Sequence, residues 1–139
     1  MPASWYGVKT IYRIEAIGRP KGADKDYDPE ATMFEERIVL FKASSIDEAV
    51  AKAARDAQEY ADDFEHVNPY GQTVRCRYLG EGDVFEMFVA PDERVEVYSR
   101  TELVKKSIKD KTLGEWAFGT EKPKDEPLRK KFFAQESQE

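Results

Sequence analysis

The chain is predicted to be α+β: a mostly antiparallel five-stranded sheet in the order β-β-α-β-β-β, one long amphipathic helix on one sheet face, and a C-terminal extension. Three observations predict it. Two runs of alternating hydrophobicity, residues 5–15 and 33–42, precede a segment with a capping box and a five-turn apolar stripe. Three short apolar runs separated by Gly, Pro and Asp follow that segment. Hairpin-spaced strands pair antiparallel, and a helix with one apolar stripe must bury it against the sheet.

The first strand, residues 5–15, sets Tyr6, Val8, Tyr12 and Ile14 on one face and Lys9, Arg13 and Glu15 on the other. Residues 16–32 are rich in Gly, Pro and charge, which predicts a long loop. The second strand, 33–42, places Phe34, Ile38 and Leu40 on one face and Val39 and Phe41 on the other. Apolar residues on both faces predict a central strand with its second face at least partly covered.

The helix begins with Ser45 as N-cap and Glu48 three residues later, a pair that supplies partners for otherwise orphaned backbone N–H groups. Ile46, Ala49, Val50, Ala53, Ala57, Tyr60, Ala61 and Phe64 continue at spacings of three and four, and alanine lets a helix lie close to a sheet. Asn68-Pro69-Tyr70-Gly71 carries the turn chemistry that ends it. Strands are then predicted at 73–79, 84–89 and 95–99, joined by a hairpin at Gly80-Glu81-Gly82-Asp83 and a turn at Pro91-Asp92. Residues 1–100 form the α+β domain and 101–139 the extension, with a short helix expected at 101–108. Beyond it Leu113, Trp116, Phe118, Leu128, Phe132 and Phe133 sit among charged residues. A disordered tail is normally poor in aromatics, so this one is expected to dock on something.

Several of these blocks resemble one known family. Trp5-Tyr6-x-Val8-Lys9, Phe34-Glu35-Glu36-x-Ile38-x-Leu40, Ser45-x-x-Glu48-Ala49, Gly71-x-Thr73-Val74 and Glu96-Val97-Tyr98-Ser99-Arg100 are similar to domain of unknown function 4288. The resemblance covers residues 5 to 100, roughly, and leaves the extension outside. It implies a small bacterial α+β domain and brings no activity, cofactor or catalytic residue with it.

Composition narrows the function classes. The net charge of −6 argues against general nucleic-acid binding, which needs a basic footprint to displace counterions. One cysteine excludes an internal disulfide and any multi-cysteine zinc site. The N-terminus lacks a basic-then-apolar leader and no apolar run approaches the ~18 residues of a membrane span, so a cytoplasmic protein is expected.

Asp24, Asp26 and Asp28 with Glu35 share the spacing of a calcium loop, but the sixth position is Pro29 instead of the required glycine. An acidic solvated loop explains them. Asp62, Asp63, Glu65 and His66 cluster at the helix C-terminus, where the acids oppose its dipole, a conflict that Arg75, Arg77 or a bound cation can relieve, while a protonated His66 suits that end. Glu35 and Glu36 are neighbours on a strand, hence on opposite faces and unable to act as a carboxylate pair. Glu86 or Glu96 would have to approach one of them, and cross-strand ion pairs with Lys9, Arg13, Arg37, Arg75 and Arg77 explain the same residues. Cys76 alternates with two arginines and is expected to be buried and inert. No Gly-x-Ser-x-Gly or phosphate-cradling motif is present.

The remaining signal is apolar: Trp5, Ile11, Val39, Phe41 and Phe88 are expected on the sheet face opposite the helix, covered by the tail or by another chain. The function expected from this is a non-enzymatic protein-binding domain, with an immunity or inhibitor-like role as one version. Its partner would be another protein or a second copy, with no membrane, metal or cofactor. Two alternatives remain. Arg13, Arg37, Arg75 and Arg77 with Trp5 would make an RNA platform on the outer face. Glu35, Glu86 and Tyr98 would have to converge for a small-molecule-binding or carboxylate enzyme site. The candidate binding residues are thus Trp5, Arg13, Arg37, Phe41, Arg75, Arg77, Phe88 and Trp116.

Overall fold

The computed structural model describes residues 2–99, 101 and 103–118. Its element order is β1 (Ser4–Ile17), β2 (Met33–Ala43), α1 (Ile46–Asp63), β3 (Glu65–Val67), β4 (Thr73–Met87) and α2 (Asp110–Phe118). The four strands form one antiparallel sheet in the order β2-β1-β4-β3.

The α+β class and the long helix follow the sequence expectation; the strand count and the central place expected for the second strand do not, since β2 is an edge of the sheet. The segments expected as two strands, 73–79 and 84–89, are one continuous strand β4. Gly80-Glu81-Gly82-Asp83, expected as a hairpin, lies inside it. There β4 shifts register against β1 between Val8 and Thr10 and again between Ile11 and Tyr12. Each shift accommodates one extra β4 residue, and glycine serves a bulge as readily as a turn. Gly80 has φ +145°, which other residues rarely adopt.

Residues 95–99 form no strand. They cross the outer sheet face instead: a Cβ built at Gly7 would lie 2.8 Å from the Val97 carbonyl oxygen. The turn before them is closed by Val95 N–H donating to Asp92 O at 3.3 Å, with Arg94 at φ 66°. β3 was hidden by the acidic helix end. The helix stops at Asp63, and a turn at 68–71 then reverses the chain into β4. The helix expected at 101–108 is also displaced, to 110–118; before it, Ile108 N–H donates to Lys105 O in a single turn. Asp110 opens α2, where a negative charge suits the helix dipole. Leu128, Phe132 and Phe133 lie outside the described residues.

The capping box forms with a change of partner. Ser45 Oγ accepts from Glu48 N–H at 3.1 Å, while the Glu48 carboxylate takes both the N–H and the hydroxyl of Ser44. Those bonds, with Lys52 nearby, hold Glu48 below the usual carboxylate range. Of the apolar stripe, Ala49, Ala53, Ala57 and Ala61 are buried, whereas Ile46 is exposed. Small side chains let α1 approach the sheet and leave its volume to the larger strand residues. One core cluster joins Tyr12, Ile14, Tyr70, Val74 and Cys76 to Ala57 and Ala61; the other joins Tyr6, Val8 and Ala43 to Ala49 and Ala53.

Candidate functional site

On the sheet face away from α1, three regions differ in chemistry. At one end Arg13 lies opposite Arg77 and Glu15 opposite Arg75 across the β1–β4 ladder. Arg77 pairs with Glu15 at 3.0 Å and Arg75 with Glu65 at 3.7 Å. Arg75 thereby offsets one carboxylate of the acidic segment after α1. The middle is covered by the segment ending in Tyr98. Its hydroxyl donates to Asp83 at 2.7 Å, and Lys9 Nζ stands 5.3 Å from its ring. The bond to Asp83, then burial, pushes the Tyr98 phenol up.

The third region is apolar and open. Trp5 and Met87 face each other across the ladder, and with Ala3, Lys42, Phe88 and Val89 they line a depression of about 240 Å³. Lys42 Nζ lies 5.9 Å from the Trp5 ring. Met87 is buried, but Phe88 is 89 % exposed and Val89 is 60 % exposed. An almost fully exposed phenylalanine beside a half-buried tryptophan is the anchor composition of protein interfaces.

Beneath α1 lies a second cluster. Arg37 donates to Tyr12 Oη at 3.0 Å, stacks 3.7 Å from the Tyr60 ring centre and pairs with Asp56 at 3.7 Å. Tyr12 exchanges a 2.6 Å hydrogen bond with Thr10, and Tyr60 donates to Glu35. Burial first, then that carboxylate, pushes the Tyr60 phenol well above its ordinary value. Burial and then Glu35 push the Cys76 thiol up to about 11, against the opposing charge of Arg37. At neutral pH this thiol is protonated and weakly nucleophilic.

The long loop between β1 and β2 is held by the turn before β4. The buried Asn68 accepts from the N–H groups of Tyr70 and Gln72, both at 3.0 Å. Gln72 donates to Gly18 O at 2.8 Å, and Tyr70 Oη donates to Asp24 at 2.7 Å. Burial, then this carboxylate, raises the Tyr70 phenol. The aspartates of the calcium-like spacing close turns: Asp24 accepts from Asp26 N–H and Asp28 from Glu30 N–H. Among the described residues no group of three or more His, Cys, Asp or Glu is placed to hold a metal, and no helix is long and apolar enough to cross a membrane.

The expected binding residues separate accordingly. Trp5 and Phe88 come together, as do Arg13, Arg75 and Arg77. Arg37 and Phe41 do not join them, because on β2 the odd-numbered residues face α1; Phe41 packs with Tyr6, Val8 and Ala43. Val39 lies on that side too, so the outer apolar face carries Ile11, Phe34, Ile38 and Leu40 in its place. Trp116 is exposed on α2. Lys42, Met87 and Val89 were missed around Trp5. Alternation from Ile38 and Leu40 places Lys42 on the outer face, but pairing of Trp5 with Met87 depends on bulges that alternation does not reveal.

Residues 5–99 match the family described as "Domain of unknown function (DUF4288)". No curated protein and no solved structure matches the chain.

Proposed function

We propose that this chain, which belongs to the DUF4288 family, is a protein-binding domain whose contact surface is the apolar depression around Trp5 and Phe88. One observation carries the reading: Phe88 and Val89 stand in solvent beside Trp5 and the buried Met87. Leaving large apolar side chains together in water is unfavourable, and burying one gains about 1.5–3 kcal/mol. The fitting partner presents an apolar side chain to the depression and acidic groups to Lys42 at its rim. The chain's net charge of −6 favours encounter with a basic surface elsewhere on that partner.

The test is parallel capture from native lysate with full-length wild type and Phe88→Asp as baits. Both residue types tolerate this exposed position, so circular dichroism should be unchanged. A stoichiometric protein retained by wild type and lost from Phe88→Asp supports the reading. The same protein on both baits, or none on either, overturns it.

A further inference from the structure

We infer that two copies of this chain pair through their β2 edges, antiparallel about a two-fold axis at Ile38, into a continuous eight-stranded sheet. The surface lies beside the Trp5–Phe88 depression and shares Lys42 with it. β2 is an edge strand, paired only with β1, in unbroken register from Ser4↔Ala43 to Ile14↔Met33. The Lys42 carbonyl points away from β1, since Lys52 Nζ donates to it at 2.6 Å. Along an antiparallel strand the backbone groups of alternate residues point to alternate sides. The N–H and C=O of Phe34, Glu36, Ile38 and Leu40 therefore point outward too. No described residue bonds them.

The other side of the sheet is treated differently. There the edge is made by the three-residue β3, and beyond it β4 is interrupted by two bulges, a common device against edge pairing. β2 has neither device over the length of Phe34 to Leu40. Its outer side chains Phe34 and Ile38 are 58 % and 41 % exposed. An extended strand of similar chemistry is the occupant that satisfies both the backbone and these side chains.

A second copy meets that requirement with one register. Centring the axis on Glu36 sets two carboxylates face to face, and centring it on Arg37 opposes two guanidinium groups. Centring it on Val39 puts the Lys42 carbonyl that Lys52 already holds into an inner pair, with Glu36, whereas centring it on Ile38 meets that carbonyl only at the terminal pair, Phe34 with Lys42. On Ile38, isoleucine meets isoleucine, Glu36 meets Leu40, and Glu36 reaches Lys42 on the diagonal.

The helix provides independent charge complementarity. Lys52 meets Lys42, Asp56 meets Arg37 and Tyr60 meets Glu35, so α1 runs antiparallel to β2 with Arg55 and Asp56 level with Ile38. Lys52, Arg55, Asp56, Glu59 and Asp62 line one groove of about 660 Å³ on the helix flank. Its bases lie in the first half and its acids in the second. A two-fold at Ile38 sets the second helix antiparallel to the first across the joined edges. Each copy's Lys52 and Arg55 then come level with Glu59 and Asp56 of the other.

Sedimentation velocity on the full chain, with disulfide trapping, tests this. Wild type should sediment at twice the chain mass, and Ile38→Lys, with ammonium groups opposed on the axis, should be monomeric with an unchanged circular dichroism spectrum. Paired residues of this kind have Cα atoms about 5.5 Å apart, a separation a disulfide spans. Ile38→Cys should therefore cross-link nearly completely under mild oxidation and Glu36→Cys should not. A monomeric wild type overturns the proposal. So does a dimer that survives Ile38→Lys, or one in which Glu36→Cys cross-links as well as Ile38→Cys. Retention of a partner through Phe88 is unaffected by Ile38→Lys, which keeps the two readings separable.

Discussion

The two faces of the sheet use the same strands but are held by different forces. On the α1 face, alternate residues of β1 from Tyr6 to Ile14 are buried against a stripe of four alanines. Polar groups enter that interior only with partners: Thr10 with Tyr12, Tyr12 with Arg37, and Arg37 with Asp56. Among the described residues no buried side-chain polar atom lacks a hydrogen bond. On the outer face, the covering chain is a single irregular segment over Gly7, flanked by exposed ion pairs at one end and exposed aromatics at the other. Close packing fixes the first face. The second keeps large apolar side chains, Phe88 and Val89 among them, exposed.

The helix face should suffer most from a change in packing. Ala53 is fully buried among Tyr6, Val8, Ala43 and Ala49. Ala53→Leu forces added volume into a close helix–sheet contact, and such overpacking costs about 1–3 kcal/mol. We expect the upper part of that range, because the site is fully enclosed. Urea unfolding should show a lower midpoint at unchanged slope. A loss below about 0.5 kcal/mol would mean that the alanine stripe does not set the helix–sheet spacing.

The corresponding outer-face test is Gly7→Ala. The new Cβ would meet the Val97 carbonyl at 2.8 Å and Ile38 at 3.5 Å, so something must move. The covering segment has no ladder bonds over this site and yields first. The expected cost is about 1 kcal/mol, at the low end for overpacking. Tryptic cleavage after Arg94 should accelerate as the segment lifts. If the midpoint falls as far as in Ala53→Leu while cleavage is unchanged, the segment is as tightly held as the core.

The same contrast explains what was legible from sequence. Features governed by local chemistry were readable: the Ser45–Glu48 cap, the alanine stripe and the burial of alternate β1 residues. Gly80 to Asp83 misled because glycine permits both a turn and a bulge, and the choice depends on whether β1 extends far enough to pair with all of β4. Val95 to Ser99 alternates like a strand, but alternation reports burial on one side rather than ladder bonding. Here only Val95 and Tyr98 are partly buried, and Val97 is exposed although its carbonyl lies across Gly7. Placing Arg37 outside failed on the choice of face and not on parity: Arg37, Val39 and Phe41 do share one side of β2, but that side packs against α1. The Trp5–Phe88 depression was half legible. Both aromatics were visible as apolar residues needing cover, while Met87 and Lys42 reach them only through tertiary pairing.

The smallest effect should come from the charged end of the outer face. Arg77→Ala removes a 3.0 Å pair with Glu15 in which the arginine is 61 % exposed. Exposed pairs contribute about 0.2–1 kcal/mol. Arg77 also stands directly opposite Arg13 on β1. Like charges in that position oppose folding, so deletion relieves one interaction as it removes the other. The net change in unfolding free energy should be under about 0.5 kcal/mol at low salt and smaller still at 1 M salt, where the Debye length is about 3 Å. A loss above about 1.5 kcal/mol would show that the arginine end is held as firmly as the α1 face. The contrast between the faces would then rest on the Trp5–Phe88 end alone.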